Sequence, residues 1–156
     1  MISPKEVKYL PNDIFCPAIQ EMLSEGMDVE FTITGNSMWP LLKHERDTIT
    51  LTLCNGENVK KGDIILFEAL PSKYLLHRAT GVSKSSFEST GDRNTFRDGT
   101  FPKACIIGKA VKITRKGKSR KTKSPLIRLY SFFWMNTYPL RKPILMALNL
   151  ISKFKN

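Results

Sequence analysis

A serine hydroxyl, an imidazole and a carboxylate can together act as nucleophile, base and orienting acid. This sequence holds all three types. Ser37 lies in "TGNSMWPLL", His77 in "LLHRAT", and Asp92 and Asp98 in "TGDRNTFRDG". A serine hydroxyl is a poor nucleophile at its free pKa and needs a base beside it. An imidazole takes such a proton near neutral pH. A carboxylate behind the ring fixes its tautomer and stabilises the imidazolium form. Asp98 and Asp92 both qualify by residue type.

Each residue alone has a plainer reading. A serine after Gly35-Asn36 is commonly a turn residue. A histidine in an apolar strand is commonly a buried, hydrogen-bonded imidazole. The Asp-rich segment resembles an Asx turn or a loose cation site, although it lacks the terminal glutamate of a calcium loop. His44, the second of the two histidines, sits in the charged stretch "KHERD" and is expected in solvent.

The elements that must carry these groups follow from periodicity. Asn12/Asp13 are expected to cap a helix running to about Ser24, with Gly26 stopping it. The apolar period then falls to two in "DVEFTITG" and "DTITLTL". "GDIILFEA" is a more continuous apolar run, expected to be buried on both faces. "YLLHRATGV", "SSFESTGD" and "CIIGKAVKIT" continue an antiparallel meander. "NGEN" (55–58) and "RDGT" (97–100) read as turns. After Arg115 a basic loop is expected. Ser124-Pro125 then opens a helix over roughly Leu126–Thr137, and a second helix spans Pro143–Lys153. The expected organisation is a helical segment 1–27, a β-rich core 28–115, and a basic loop with C-terminal helices, 116–156.

Taken in order, "GNSMWP", "GDIILF", "LLHRAT" and "TGDRNTFRD" resemble the boxes of the signal peptidase family and its LexA-like relatives. The resemblance covers about Phe31–Val111. It implies a mainly β fold, a coiled antiparallel β-core, here with a short N-terminal helix and a C-terminal helical tail. It also implies a serine endopeptidase that cuts after small residues. Bacterial signal peptidases and LexA-like proteins carry a lysine base. The endoplasmic-reticulum-type branch carries histidine followed by arginine, which His77-Arg78 matches. That branch also has a Gly-Asp-Asn-Asn…Asp box, matched here with Arg93 in place of the first Asn. The resemblance therefore implies Ser37 as nucleophile, His77 as base and Asp98 as the orienting acid, with Asp92 as alternative or structural partner. Gly35, Met38 and Pro40 are implied at the oxyanion and substrate-binding positions. Many family members have a hydroxyl residue where this chain has Gly35, so the oxyanion hole is expected to rest on backbone N–H groups, chiefly that of Ser37. The family is usually anchored by an N-terminal span, which this sequence does not show.

Composition sets the outer limits. The 156 residues suffice for one domain, and the net charge of +11 favours acidic partners. Cys16, Cys54 and Cys105 are widely spaced and form no CxxC pair, so neither a disulfide framework nor a zinc site is expected. No cofactor and no metal is expected. "MISPKEVKYLPNDIF" has no signal-peptide core, and the longest clean apolar piece, "PILMALNLI", is too short to span a bilayer. A cytoplasmic or peripheral location is expected.

"RKGKSRKTK" (115–123) holds six basic residues in nine. With Phe132, Phe133, Trp134, Tyr138 and Leu140 nearby, the tail reads as a solvated cover for the core or as an in-plane contact with anionic membrane. Nucleic acid ranks last, because the basic run lacks interleaved aromatics. The expected partner is a peptide or precursor-protein substrate. The competing reading is a non-catalytic or self-cleaving regulatory module of LexA-like fold. Residues 1–27 are too few for the DNA-binding domain that usually accompanies one.

Overall fold

Alternation of apolar and polar residues carries the chain from 29 to 121 into eight strands, seen in a computed structural model that describes residues 10–153. The opening segment through Tyr9, and Lys155 of the basic tail, lie outside the described residues. The strands are β1 (Val29–Thr32), β2 (Asp47–Leu53), β3 (Ile64–Leu70), β4 (Lys73–Val82), β5 (Ser86–Thr90), β6 (Gly99–Pro102), β7 (Ile106–Arg115) and β8 (Lys118–Lys121). They form one sheet in the order β1-β2-β7-β3-β4-β5-β6, with β8 paired to β7. Every pairing is antiparallel. The architecture is thus mainly β, flanked by α1 (Asn12–Ser24), α2 (Pro125–Asn136) and α3 (Arg141–Lys153).

Two apolar clusters hold the layers together. In the first, α1 buries Cys16, Ile19 and Leu23, spaced three and four apart, against Leu51, Leu66 and Ile107. The helix comes very close to β7. A Cβ on Gly108 would sit 2.7 Å from Leu23 Cδ1 and 3.1 Å from the Thr52 carbonyl oxygen, so a side chain here would have to displace the Leu23 methyl and crowd the strand. Leu23 is fully buried, which contributes about 1.5–3 kcal/mol. The second cluster lies beneath β3–β6, where the Phe67 ring meets Phe87 at 5.0 Å and Phe101 at 4.9 Å. The continuous run of β3 is buried over Ile64–Phe67, with one cluster on each face.

Two segments expected as loops are strands. "RKGK" closes a hairpin in which Arg115 pairs with Lys118. Lys116 (φ 48°) and Gly117 (φ 76°) both take positive φ, the backbone of a two-residue turn whose twist matches its strands. The basic run after Arg115 therefore folds back as β8. Likewise Gly99-Thr100 of "RDGT" begins β6, because their backbone pairs with Ser89 and Glu88 of β5. The cap of α1 differs from expectation, since its N-cap is Pro11, whereas Ser124 caps α2 ahead of Pro125 as expected, without a side-chain cap bond.

Asp47 ties the loop after β1 to the sheet. It is fully buried and stands opposite Arg115 in the β2–β7 register. Its oxygens accept from Arg115 Nε (2.9 Å), Arg46 Nη2 (2.7 Å) and the Lys43 N–H (2.9 Å), and Arg115 Nη2 also donates to the Leu41 carbonyl at 2.6 Å. Burial pushes the Asp47 carboxyl up, but the bonds from Arg46, Arg115 and Lys43 outweigh it and hold the group below the usual carboxylate range. The stabilisation is therefore present above the unfolded carboxyl value near pH 4 and is lost as pH falls through the lower folded value. Asp47→Ala is expected to destabilise the protein by about 2 kcal/mol, because it removes the buried acceptor that the Lys43 N–H, Arg46 and Arg115 share. Urea denaturation at neutral pH checks this, and the difference from the parent should shrink in acid.

Candidate active site

The loop that carries Ser37 begins where β1 ends. Gly35 takes φ +90°, which lets the chain turn outward with open space around it. Its N–H donates to His44 Nδ1 at 3.0 Å, while His44 Nε2 lies 3.4 Å from Glu45. His44 is largely exposed, as expected, yet it braces this turn. Ser37 stands exposed at the loop's crest, and Met38 beside it is buried in the core. The Ser37 carbonyl accepts from the Arg93 N–H at 2.8 Å, which ties the crest to the loop between β5 and β6. The Arg93 guanidinium also lies over the Trp39 ring, 5.7 Å from its centroid.

His77 lies on β4, opposite Ile65 of β3. Its ring is buried, and Nδ1 is 2.7 Å from Asp98 Oδ2. Asp98 also accepts from Ser89 Oγ at 2.7 Å. Burial raises the Asp98 carboxyl, but the bond to His77, the imidazole's charge, Ser89 and Asn94 together hold it below its ordinary value. An ionised carboxylate only accepts, so Nδ1 must carry the proton of this hydrogen bond. In the neutral ring the lone pair then lies on Nε2, the atom directed toward the Ser37 loop. That direction follows from Gly91. A Cβ there would lie 2.7 Å from the Ser37 carbonyl oxygen and 3.0 Å from His77 Nε2. Among the described residues the Ser37 hydroxyl makes no hydrogen bond to the ring. Catalytic hydrogen bonds often tighten only when substrate binds.

Arg78, the next residue of β4, faces the other way, since neighbouring strand residues alternate. Its guanidinium is buried and grips Asp92 bidentately, Nε to Oδ1 at 2.8 Å and Nη2 to Oδ2 at 2.7 Å. Nη1 donates to Ser131 Oγ on α2 (2.6 Å) and to the Gly62 carbonyl (2.8 Å). The Tyr130 hydroxyl donates to Asp92 Oδ2 at 3.2 Å, and Trp134 Nε1 to the Asp92 carbonyl at 3.1 Å. Burial and the Asp92 charge push the Tyr130 phenol well above its usual value, so it remains a donor. Asp92 is therefore a partner of Arg78, and of the two aspartates only Asp98 meets His77.

Ser37, Gly35, Met38 and His77 line one cleft of roughly 590 Å³. Phe15, Cys16 and Ile19 of α1, Phe31 and Ile33 near β1, and Leu66 and Leu76 complete its apolar lining. Burial pushes the Cys16 thiol up to about 11, so this thiol stays protonated and acts as an apolar filler. Pro40 does not line the cleft; it follows Trp39 through a cis peptide bond. Among the described residues β1 pairs with β2, and the first half of β4 pairs with β3. Both strands border the cleft.

Sequence reasoning missed Gly91, His44 and Arg141. Gly91 gave only a generic turn signal, and its need for space appears only when three segments converge on it. Arg141 was read as tail charge. It is buried, and its Nη1 donates to the carbonyls of Asn94 (3.0 Å) and Gly91 (3.2 Å), with the guanidinium 4.8 Å from the Tyr138 ring centroid. No motif of the primary structure announces that contact. Compared with known proteins, the chain matches no family model and no curated protein.

Gly91→Ala is expected to push the Ser37 backbone away from the imidazole, because a backbone carbonyl cannot swing aside as a long side chain can. The variant should melt at a lower temperature than the parent while its far-ultraviolet circular dichroism at room temperature is unchanged.

Proposed function

We propose that this protein is a serine endopeptidase of the signal-peptidase-like type, with Ser37 as nucleophile, His77 as general base and Asp98 as the group that orients the ring. One observation carries the reading. His77 gives Nδ1 to the Asp98 carboxylate and turns Nε2 toward the Ser37 loop, with serine and imidazole on one cleft. The ordered boxes noted in the sequence support it, and they suggest that the β-core has the coiled form of signal peptidases and LexA-like proteins.

The chemistry follows from the groups present. Substrate docking brings the Ser37 hydroxyl to His77 Nε2, which takes its proton as Oγ attacks the scissile carbonyl. The resulting oxyanion is held by backbone N–H groups, chiefly that of Ser37; the Gly35 N–H is already engaged by His44. His77 then protonates the leaving amine, and an acyl-enzyme remains. Water enters, loses its proton to Nε2 and attacks the acyl carbonyl; the bond to Oγ breaks as the imidazolium returns that proton to Ser37. Asp98 stays ionised throughout and stabilises the imidazolium.

The substrate is an extended peptide of a precursor or leader. Its backbone lies along the cleft between β1 and β4, and its small or apolar side chains fill the apolar lining. No helix is long and apolar enough to cross a membrane among the described residues. Peripheral or cytoplasmic placement fits this reading.

The test is covalent labelling. A fluorophosphonate or β-lactam-type acylating probe should modify Ser37 in the parent, fail in Ser37→Ala and react far more slowly with His77→Ala. Asp98→Asn should lower peptide turnover by roughly 10³–10⁴-fold, through loss of the correct tautomer. Asp92→Asn should act first on stability, lowering the melting temperature. A folded protein that binds extended peptides yet neither labels nor cleaves would assign the cleft to a peptide-binding module instead.

A further inference from the structure

All fourteen acidic residues lie at or before Asp98, whereas fourteen of the twenty-five basic residues lie after it. The segment from β6 to the end of α3 is therefore purely cationic. The same segment bears an apolar face that the fold leaves open. α2 has two apolar sides. Ile127, Ser131 and Trp134 face inward and are buried. Leu126, Leu129, Phe132 and Phe133 lie on the opposite arc, each more than half exposed. α3 repeats the design, with Leu145 inward and Met146, Leu150 and Ile151 outward. Between the helices runs a shallow apolar groove floored by Leu126, Leu129, Phe133 and Ile144. Exposed cations flank this surface. Lys121 and Lys123 stand just before α2, Arg128 lies on it, and Lys142 and Lys153 mark the two ends of α3.

We propose that the outer face of the α2–α3 pair docks in the plane of an anionic lipid surface. Each competing occupant satisfies half of the observations. Nucleic acid would neutralise the cations and leave the apolar stripe in water. An apolar peptide would cover the stripe and leave the cations unpaired. A second copy would press one acid-free surface against another, which like-charge repulsion opposes. A bilayer with anionic headgroups takes the aromatic and aliphatic side chains at the acyl boundary and the lysines and arginines at the phosphates. The inward face of the same helices holds the β5–β6 loop through Trp134 and Arg141. The docked surface and the cleft are thereby built on one scaffold. The inference stands apart from the peptidase reading, since it uses no residue of the cleft.

The experiment is flotation of the full chain with phosphatidylcholine vesicles, with and without about one-third phosphatidylserine. The protein should rise with the anionic vesicles, less as salt is raised, and little with the neutral ones. Phe132→Ser/Phe133→Ser should lower partitioning at least about tenfold, through lost apolar burial. Lys118→Glu/Lys121→Glu/Lys123→Glu should lower it by a similar factor. Both variants change exposed side chains, and matching circular dichroism and melting curves establish that they fold. Ser37→Ala should float like the parent, which separates this surface from the catalytic reading. Failure of the parent to float with anionic vesicles at low salt overturns the proposal. So does undiminished flotation of the phenylalanine variant. Two other results assign the face elsewhere and also overturn it: a dimer in light scattering that the phenylalanine variant abolishes, or a nucleic-acid duplex that outcompetes the vesicles.

Discussion

Two neighbouring residues of one strand hold two aspartates of one loop, and the site depends on that grip. His77 takes Asp98 on the cleft side of β4, and Arg78 takes Asp92 on the side covered by α2. Because successive strand side chains point to opposite faces, the loop from Gly91 to Asp98 must straddle the strand. The Arg78–Asp92 pair has essentially no solvent on either side chain. Such a pair gains little net stability over a well-packed apolar one, since both charges were stripped of water. Its effect is geometric. Either charge left alone would cost several kcal/mol, so the loop has no inexpensive alternative position. Fixing Asp92 fixes Gly91, and Gly91 is the point on which the Ser37 carbonyl and His77 Nε2 both close.

The helices at the C-terminal end extend that grip outward. Ser131, Tyr130 and the Gly62 carbonyl add hydrogen bonds to the ion pair, and Arg141 occupies the carbonyls of Gly91 and Asn94, while its buried Nε has no partner among the described residues. In a buried network the same low dielectric that strengthens each bond magnifies each omission. α2 is therefore part of the site's support as well as a cover for the core.

Much of this was readable beforehand, for identifiable reasons. Period-two alternation announced β1 and β2, and the unbroken apolar run of β3 announced burial on both faces, because those patterns report local chemistry repeated over several residues. Ser37 and His77 were readable by type and order. The choice of Asp98 over Asp92 was not a matter of composition, since both stand in the same short turn-rich stretch. It was decided by which face of β4 each one reaches, a property of register. β8 escaped because its lysines and arginines resemble a solvated loop, and only the positive-φ pair Lys116-Gly117 reveals the hairpin. Arg141 escaped because a buried arginine bonded to carbonyls looks, in a string of letters, like any other surface charge.

On the proposed peptidase reading, a nucleophile presented to solvent poses a physical conflict. The hydroxyl must be reachable, yet a loop free enough to be reached spends much of its time away from the base. Here the crest at Ser37 is exposed while the chain on either side is tied down. Gly35 is held by His44, the Ser37 carbonyl by the Arg93 N–H, Met38 by the core, and the exit by Asp47 with its arginines. Fixing one residue's backbone costs roughly 1–2 kcal/mol of conformational entropy. In this fold the cost is met during folding, by contacts made with or without a substrate. On that reading the entropy is lost before a peptide arrives, and binding energy remains for the rotation that would bring the Ser37 hydroxyl onto Nε2.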